Sequence, residues 1–212
     1  MDCRSHWNKI FSTKLTSDVS WYQPHLQLSL QLISNTASGR DAKIIDVGGG
    51  DSSLVDDLIQ HRYANLTILD ISSQAIKRAK ERLKDAGSVV QWIETDILQA
   101  QLRRSYFDVW HDRAMFHFLV DTNDKNKYLD IAADSIKPNG QLIVGSFAPD
   151  GPQQCSGLPT IRYSQEALAE HLKSHFEFVE SLWEDHVTPQ GKKQQFIYCR
   201  FVRKGSPVLT TL

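Results

Sequence analysis

Residues 44–54 read IIDVGGGDSSL, a hydrophobic strand-like run that ends in three consecutive glycines and passes into a helix start. Glycines at 48–50 let the backbone turn sharply and let a ligand lie against it with no Cβ in the way. The first amides of the helix that follows face that ligand. Dinucleotide, flavin and nucleoside sites all use such a turn, so the glycines alone do not choose among them.

Charge discriminates. Asp46 and Asp51 bracket the turn, and the pattern G-x-G-x-x-G fails because Ser53 holds its last position. A pyrophosphate wants no carboxylate beside it, whereas a ligand with a positive centre, such as an α-amino group with a sulfonium nearby, is attracted by both acids. The turn therefore favours S-adenosylmethionine over NAD. The plain alternative is a tight strand-to-helix turn with two capping acids. Asp70, in TILDIS about twenty residues further on, is placed to accept both ribose hydroxyls or to cap the helix after it. Asp96, in ETDI, can accept the exocyclic amine of an adenine while Ile97 packs on the ring. Three acids at three consecutive strand ends are hard to ascribe to capping alone.

Outward from this turn, between residues 43 and 148, short β-branched runs alternate with helical patterns. KIIDV is followed by a helix through Ser52–His61, LTILDI by one through Ser72–Asp85; then come VVQWIETD, YFDVWH, a helical stretch Asp124–Ile136 and QLIVGSFA. That alternation predicts βαβ units on a parallel sheet. In Ser72–Lys84 the residues Ile76, Ala79 and Leu83 recur at helical spacing and face the sheet, with Ser72 as cap. After Ala148, PDGPQQCSGLP reads as a loop. A helix (Gln165–Lys173) and two strand-like runs, HFEFVESLWEDH and QQFIYCRFV, follow around the turn TPQGKK, which predicts a closing antiparallel hairpin. Two helical candidates, His6–Phe11 and His25–Ser34, flank the aromatic SWYQP near the start.

The chain has 212 residues, 24 Lys+Arg against 25 Asp+Glu, and 41% hydrophobic residues, which predicts one core-forming domain spanning 1–212. The near-balance of charge argues against a nucleic-acid-wrapping surface and against an acidic tail. No run approaches the roughly 20 apolar residues that cross a bilayer. MDCRSHWNKIF is too polar for a signal peptide, so a cytoplasmic protein without membrane attachment is expected. Cys3, Cys155 and Cys199 form no C-x-x-C, and the 8 histidines are scattered, so no metal is expected.

On these motifs the chain resembles the class I S-adenosylmethionine-dependent methyltransferases over nearly its whole length. The family's motifs correspond to DVGGG (46–50), Asp70 in LDIS, TDI (95–97), FDVWHDRAMFHFL (107–119) and KPNGQLIV (137–144). One departure is Ser52, where the first motif usually has its third glycine. The resemblance implies an α/β, Rossmann-like seven-stranded sheet of order 3-2-1-4-5-7-6 with strand 7 antiparallel and helices on both faces. It divides the chain into a cap (1–40), a cofactor-binding core (41–148) and a substrate-side loop, helix and hairpin (149–212). Its cofactor is S-adenosylmethionine. The cofactor set it implies is Trp21, Asp46, Gly48, Gly49, Gly50, Asp70, Ile71, Asp96, Ile97 and His111. The start HWNKIFSTKLTSDVSWYQP is similar to the N-terminal caps of small methyltransferases acting on protein lysines, as in elongation factor methyltransferases, or on thiols and chalcogen oxyanions. HDRAMFHFL and FAPDGPQQCSGLPTIRY resemble a mainly bacterial set of methyltransferase-like proteins.

Methyl transfer from a sulfonium relies on alignment and exclusion of water, and no strong base is obligatory. His111, Asp112, Arg113 and His117 fall at the end of the fourth strand, outside which ligands of open α/β sheets bind. His117 is the candidate general base, with packing among Phe116, Phe118 and Leu119 as its alternative. Arg113 is the candidate for an acidic substrate group, with an internal pair to Asp112 as the alternative. Trp21 and Tyr22 are expected to close over the cofactor. Cys155, Arg162, Tyr163 and His186 are weaker candidates, and Gly191-Lys192-Lys193 reads as a hairpin turn. Three functions follow: methyl transfer to a small-molecule acceptor such as a thiol, methylation of a protein lysine, and a non-catalytic S-adenosylmethionine-binding module. The oligomeric state is left open.

Overall fold

Five parallel strands carry the glycine turn. In the computed structural model, which describes residues 2–205, β1 (Lys43–Val47) is hydrogen-bonded between β2 (Asn65–Asp70) and β4 (Phe107–Arg113). Beyond β2 lies β3 (Val90–Glu94), and beyond β4 lies β5 (Ile136–Phe147). Met1 and residues 206–212, part of the expected 1–212 unit, lie outside the described residues. The closing hairpin is the pair β8 (Phe176–Val187) and β9 (Lys193–Arg203), with β9 antiparallel to both β5 and β8. The sheet order β3-β2-β1-β4-β5-β9-β8 is the expected order with β8 and β9 as sixth and seventh strands.

Alternation along β4 shows how the sheet is sealed. Trp110 packs on one face with Tyr128, Leu142 and Phe201, and Val109 on the other with Ile44, Leu54 and Phe147; none of these exceeds 1% exposure. Successive strand residues face opposite sides, so a strand covered on both sides is apolar throughout. The helices that cover it are α1 (Cys3–Thr13), α2 (Gln27–Thr36), α3 (Leu54–Gln60), α4 (Ser73–Leu83), α5 (Thr122–Ser135) and α6 (Gln165–Leu172). No helix among the described residues is long and apolar enough to cross a membrane.

Boundaries differ from the expected ones where local chemistry intervenes. α3 starts two residues late because Ser52 is held in the turn, its Oγ accepting from the Leu54 amide at 3.2 Å. α5 stops at Ser135 and β5 begins at once, as Lys137 precedes Pro138 and the residue before proline avoids helical backbone. The loop after Ala148 contains a two-stranded ladder, β6 (Gln154–Cys155) with β7 (Leu158–Pro159). Its turn residues Ser156 and Gly157 both have positive φ, 51° and 79°, the requirement of a tight primed turn.

α1 is held on the sheet by a contact between distant segments. Asn8 Oδ1 accepts from Ser72 Oγ at 2.8 Å, Ser73 Oγ at 3.3 Å and the Gln74 amide at 3.4 Å. Ser72 in turn caps α4 through the Ala75 amide, so one asparagine joins the cap to the helix that follows β2. Asn8→Ala should destabilise the fold by about 1 kcal/mol, the worth of a helix cap. Urea denaturation read by tryptophan fluorescence checks this, and a midpoint unchanged from wild type would contradict it.

Candidate functional site

The carboxyl ends of β1, β2, β3 and β4 open onto a cavity of about 300 Å³. Gly48, Asp70, Ile71, Asp96, Ile97, Trp21 and Arg113 of the expected set all line it. α1 contributes Cys3, Trp7 and Phe11, and the β6–β7 hairpin contributes Cys155. A smaller void of about 60 Å³ lies beside it, bounded by Asp46, Gly49, His111 and residues 16–23.

The acids do different work. Asp70 Oδ1 accepts from the Ser72 amide at 2.7 Å, and its second oxygen has no hydrogen-bond partner among the described residues. Burial pushes its carboxyl up to about 7, against the Ser72 hydrogen bond and with help from the charge of Asp46. That oxygen stands at the end of β2 in a residue that lines the cavity, a place that suits a ribose hydroxyl. Asp96 caps a short helical turn over Ile97–Gln99, accepting from the Leu98 amide at 2.9 Å. Both the capping and the ligand reading of Asp96 therefore draw on the same carboxylate, one oxygen each.

Asp46 is shielded. It meets His111 Nδ1 at 2.7 Å, and His111 Nε2 meets Ser29 Oγ at 2.9 Å. A carboxylate only accepts, so Nδ1 carries a proton and donates to Asp46. His111 is 1% exposed and stands behind Asp46, where it orients that carboxylate. Asp51 departs from expectation: Arg82 of α4 pairs with it, Thr16 donates to it, and Arg78 lies 3.8 Å away. Its charge is answered within the protein, so Asp46 and Asp70 supply the negative field at the turn.

The glycines also serve a purpose other than the one expected. A Cβ on Gly48 would lie 2.8 Å from Met115 Cβ, one on Gly49 2.4 Å from Asp46 Oδ2, and one on Gly50 2.7 Å from Asp70 Oδ2. Protein side chains occupy the space that a Cβ would need. Gly48 and Gly50 have φ of +73° and +39°, so the turn requires glycine by conformation as well.

Of the two catalytic candidates, the structure brings only Arg113 to the cavity. The internal pair expected with Asp112 does not form. Arg113 Nε donates to Tyr198 OH at 2.7 Å, Nη1 donates to the Trp21 carbonyl at 3.2 Å, and Glu184 Oε2 lies 3.6 Å from Nη2. Asp112 instead accepts from the amides of Met115 and Phe116 and from Tyr128 OH, which itself accepts from Trp110 Nε1. That bond set shapes the turn after β4 while burial pushes the Asp112 carboxyl up to about 6. His117 corrects the base expectation. Its ring is stacked on Phe147 at 4.5 Å, fully buried, away from the cavity lining, and both ring nitrogens lack partners. Burial and the neighbouring Arg113 charge pull it down to about 3, so it stays neutral and has no route to a proton on the acceptor.

Trp21 sits over the cavity as expected; Tyr22 borders only the smaller void. Trp21 stands edge-on to Trp7 at 5.8 Å, and Trp7 edge-on to Phe118 at 5.2 Å. The strap carrying Trp21 is tied to the hairpin: Gln23 donates to Glu184 at 3.1 Å and His186 Nε2 donates to the Ser20 carbonyl at 2.6 Å. Among the weaker candidates, Cys155 lines the cavity, burial pushing its thiol up. Tyr163 is buried in the core and Arg162 donates to the Pro149 carbonyl at 2.8 Å. His186 serves the strap. Sequence reading did not single out Trp7, Phe11 and Met115; the apolar spacing of Trp7 and Phe11 within HWNKIF was the available signal.

Comparison with known proteins agrees with this geometry. A family model described as a methyltransferase domain matches residues 38–205. An uncharacterized methyltransferase of Mycobacterium bovis is 31% identical over 104 residues, 49% of this chain and 50% of the relative. EEF1A lysine methyltransferase 2 of Danio rerio is 27% identical over 148 residues, 67% of this chain and 58% of that protein. The chain thus spans about half the length of the curated relatives it matches first. The crystal structure of the N-methyltransferase NodS from Bradyrhizobium japonicum, in complex with S-adenosyl-L-homocysteine, superposes with a TM-score of 0.73 at 20% identity, covering 94% of this chain and all of that one. With its strand order, its glycine turn and an acid at the end of each of β2 and β3, the chain belongs to the class I S-adenosylmethionine-dependent methyltransferases.

Proposed function

We propose that the protein transfers a methyl group from S-adenosylmethionine to a small-molecule acceptor. The carrying observation is the small, walled cavity: Trp7 and Phe11 of α1, Trp21 of the strap over 16–23 and Cys155 of the β6–β7 hairpin line it with the strand ends, and the space is about 300 Å³. Pockets for drug-sized ligands start near that volume, so little room is left once a nucleoside cofactor is in place. When bound, S-adenosylmethionine supplies a methyl group on a sulfonium sulfur, a centre that any well-aligned lone pair can displace.

The chain's own residues do the holding. Asp70 takes the ribose, Asp96 and Ile97 the adenine, and Gly48 with the Asp46 carboxylate the amino-acid end. His111 keeps Asp46 oriented. Trp21 closes the space above and, with Trp7 and Phe118, excludes water, which strengthens every electrostatic interaction inside. Arg113 stands at the acceptor end. Intact Asp46, Gly48, Gly50, Asp70 and Asp96 weigh against a non-catalytic module that keeps the fold and has lost the site. The near-neutral charge supports the accompanying expectation of an enzyme acting without nucleic acid.

A second reading, methylation of a protein lysine, is favoured by the relative from Danio rerio. Incubating the purified chain and a cell lysate with methyl-tritiated S-adenosylmethionine separates the two. Label in the low-molecular-weight fraction is expected; label confined to protein would sink the small-molecule reading.

A further inference from the structure

Arg113 is the buried cation whose hydrogen bonding is left incomplete at this site. Its side chain is 5% exposed, and a guanidinium carries five N–H donors. One reaches Tyr198 OH and one the Trp21 carbonyl, while Nη2 is buried with no hydrogen-bond partner. Glu184 Oε2, at 3.6 Å, answers the charge of Nη2 but lies beyond hydrogen-bond reach, and its two oxygens also accept from Tyr198 at 3.1 Å and from Gln23 at 3.1 Å. The Phe196 ring lies under the guanidinium at 4.5 Å, so the group is fixed in place at the cavity wall. A buried donor without an acceptor calls for a partner that the protein itself does not supply.

We propose that Arg113 binds an anionic group on the methyl acceptor, so that the substrate is a small anion with an apolar, ring-sized body. This rests on the small-molecule reading above. The cavity that Arg113 lines is also walled by Trp7, Trp21, Phe118 and Cys155, a surface suited to a flat apolar body. The acids of the cavity stand elsewhere: Asp70 and Asp96 at the strand ends, and Asp124 at the start of α5, which packs on residues 97–99. Glu184, the acid beside Arg113, is engaged with Arg113 itself and does not line the cavity. An anionic acceptor also explains why no base lines this end. Its lone pair becomes the new bond to the methyl carbon, the carbon–sulfur pair remains on sulfur, and no proton has to be carried off. Arg113 favours the deprotonated acceptor and holds it where the walls exclude water.

Calorimetry on the full chain saturated with S-adenosylhomocysteine tests this, titrating benzoate, thiophenolate and 4-nitrophenolate against benzylamine as a cation of similar size. At least one anion should bind roughly tenfold or more tighter than benzylamine, as expected for a charge-assisted contact in a shielded site. Arg113→Met should remove about tenfold of that affinity and leave S-adenosylhomocysteine within about threefold. Glu184→Gln, which takes away the nearby counter-charge, should tighten the anion, and it guards against misfolding of the Arg113 variant. Benzylamine binding as well as the anions, no anion binding at all, or anion affinity unchanged in Arg113→Met would overturn the proposal. Loss of S-adenosylhomocysteine in Arg113→Met would overturn it too, making Arg113 a cofactor ligand. Label entering protein in the lysate experiment, with anion binding intact, would instead sink only the small-molecule reading.

Discussion

Asp70→Asn should lower cofactor affinity about a hundredfold while raising the thermal stability of the cofactor-free protein. The two effects have one cause, a carboxylate held in a dry site for a ligand. Two ribose hydroxyls donating to a charged acceptor contribute about 1.5–3 kcal/mol each, part of which an amide oxygen keeps. Burial pushes the carboxyl up to about 7 in the fold, well above the usual carboxylate range at about pH 4. Because the folded value is raised, the stability linked to this group is fully present below about pH 4 and is lost as pH rises through 7. In full that loss would be about 4 kcal/mol at 1.36 kcal/mol per pH unit. Asparagine removes the charge but buries an amide, so a gain of about 2 kcal/mol at pH 8, or roughly 5 °C, is expected. Wild-type affinity for S-adenosylhomocysteine should also fall about tenfold between pH 8 and pH 6 as the empty site takes up a proton, whereas the variant should bind independently of pH. Calorimetry at both pH values with a melting curve at pH 8 decides. A variant that melts lower than wild type, or binds within threefold of it, contradicts the account.

Gly48→Ala should damage both the fold and the site with a single methyl. The residue has φ +73°, and the added carbon would sit 2.8 Å from Met115 Cβ. The left-handed backbone costs about 1–2 kcal/mol for an L-residue, and forcing Met115 aside adds about 1–3 kcal/mol. Met115 lines the cavity and follows the turn that Asp112 fixes, so the displacement reaches the cofactor. A drop of about 3 kcal/mol in stability and at least about thirtyfold in S-adenosylhomocysteine affinity is expected. Gly191→Ala is the control. Its φ is +77° with nothing within 4 Å, so it carries the backbone cost alone and should leave affinity unchanged. Equal losses of affinity in the two variants would show that the Met115 contact is unimportant.

Much of the architecture was legible because it is written in local pattern. Strands covered on both faces read as continuous apolar runs, and α4 announced itself by Ile76, Ala79 and Leu83 with Ser72 as cap, all four buried as expected. The acids Asp70 and Asp96 were legible for a similar reason, since each sits at the end of a strand whose end is visible in the sequence. The roles of Asp51, Arg113 and His117 were not. Asp51 is neutralised by Arg82 from the next helix, and Arg113 finds Tyr198 and Glu184 on the closing hairpin. Histidine 117, read as a base from its place after β4, turns inward because the short helical turn Phe116–Phe118 presents it to Phe147.

The amino-acid sequence by itself determined the sheet, the glycine turn and the class of cofactor, because periodicity, turn chemistry and strand-end acids act over a few residues. Only the tertiary structure decided which charged groups remain available to a ligand. Asp70 keeps a carboxylate oxygen free of donors at the cavity, Asp46 is held by His111 beside the smaller void, Asp51 gives its charge to α4, and the Arg113 guanidinium is left with a buried donor unanswered. The physical reason is that availability depends on burial and on partners far away in the chain, and neither leaves a repeat in the sequence.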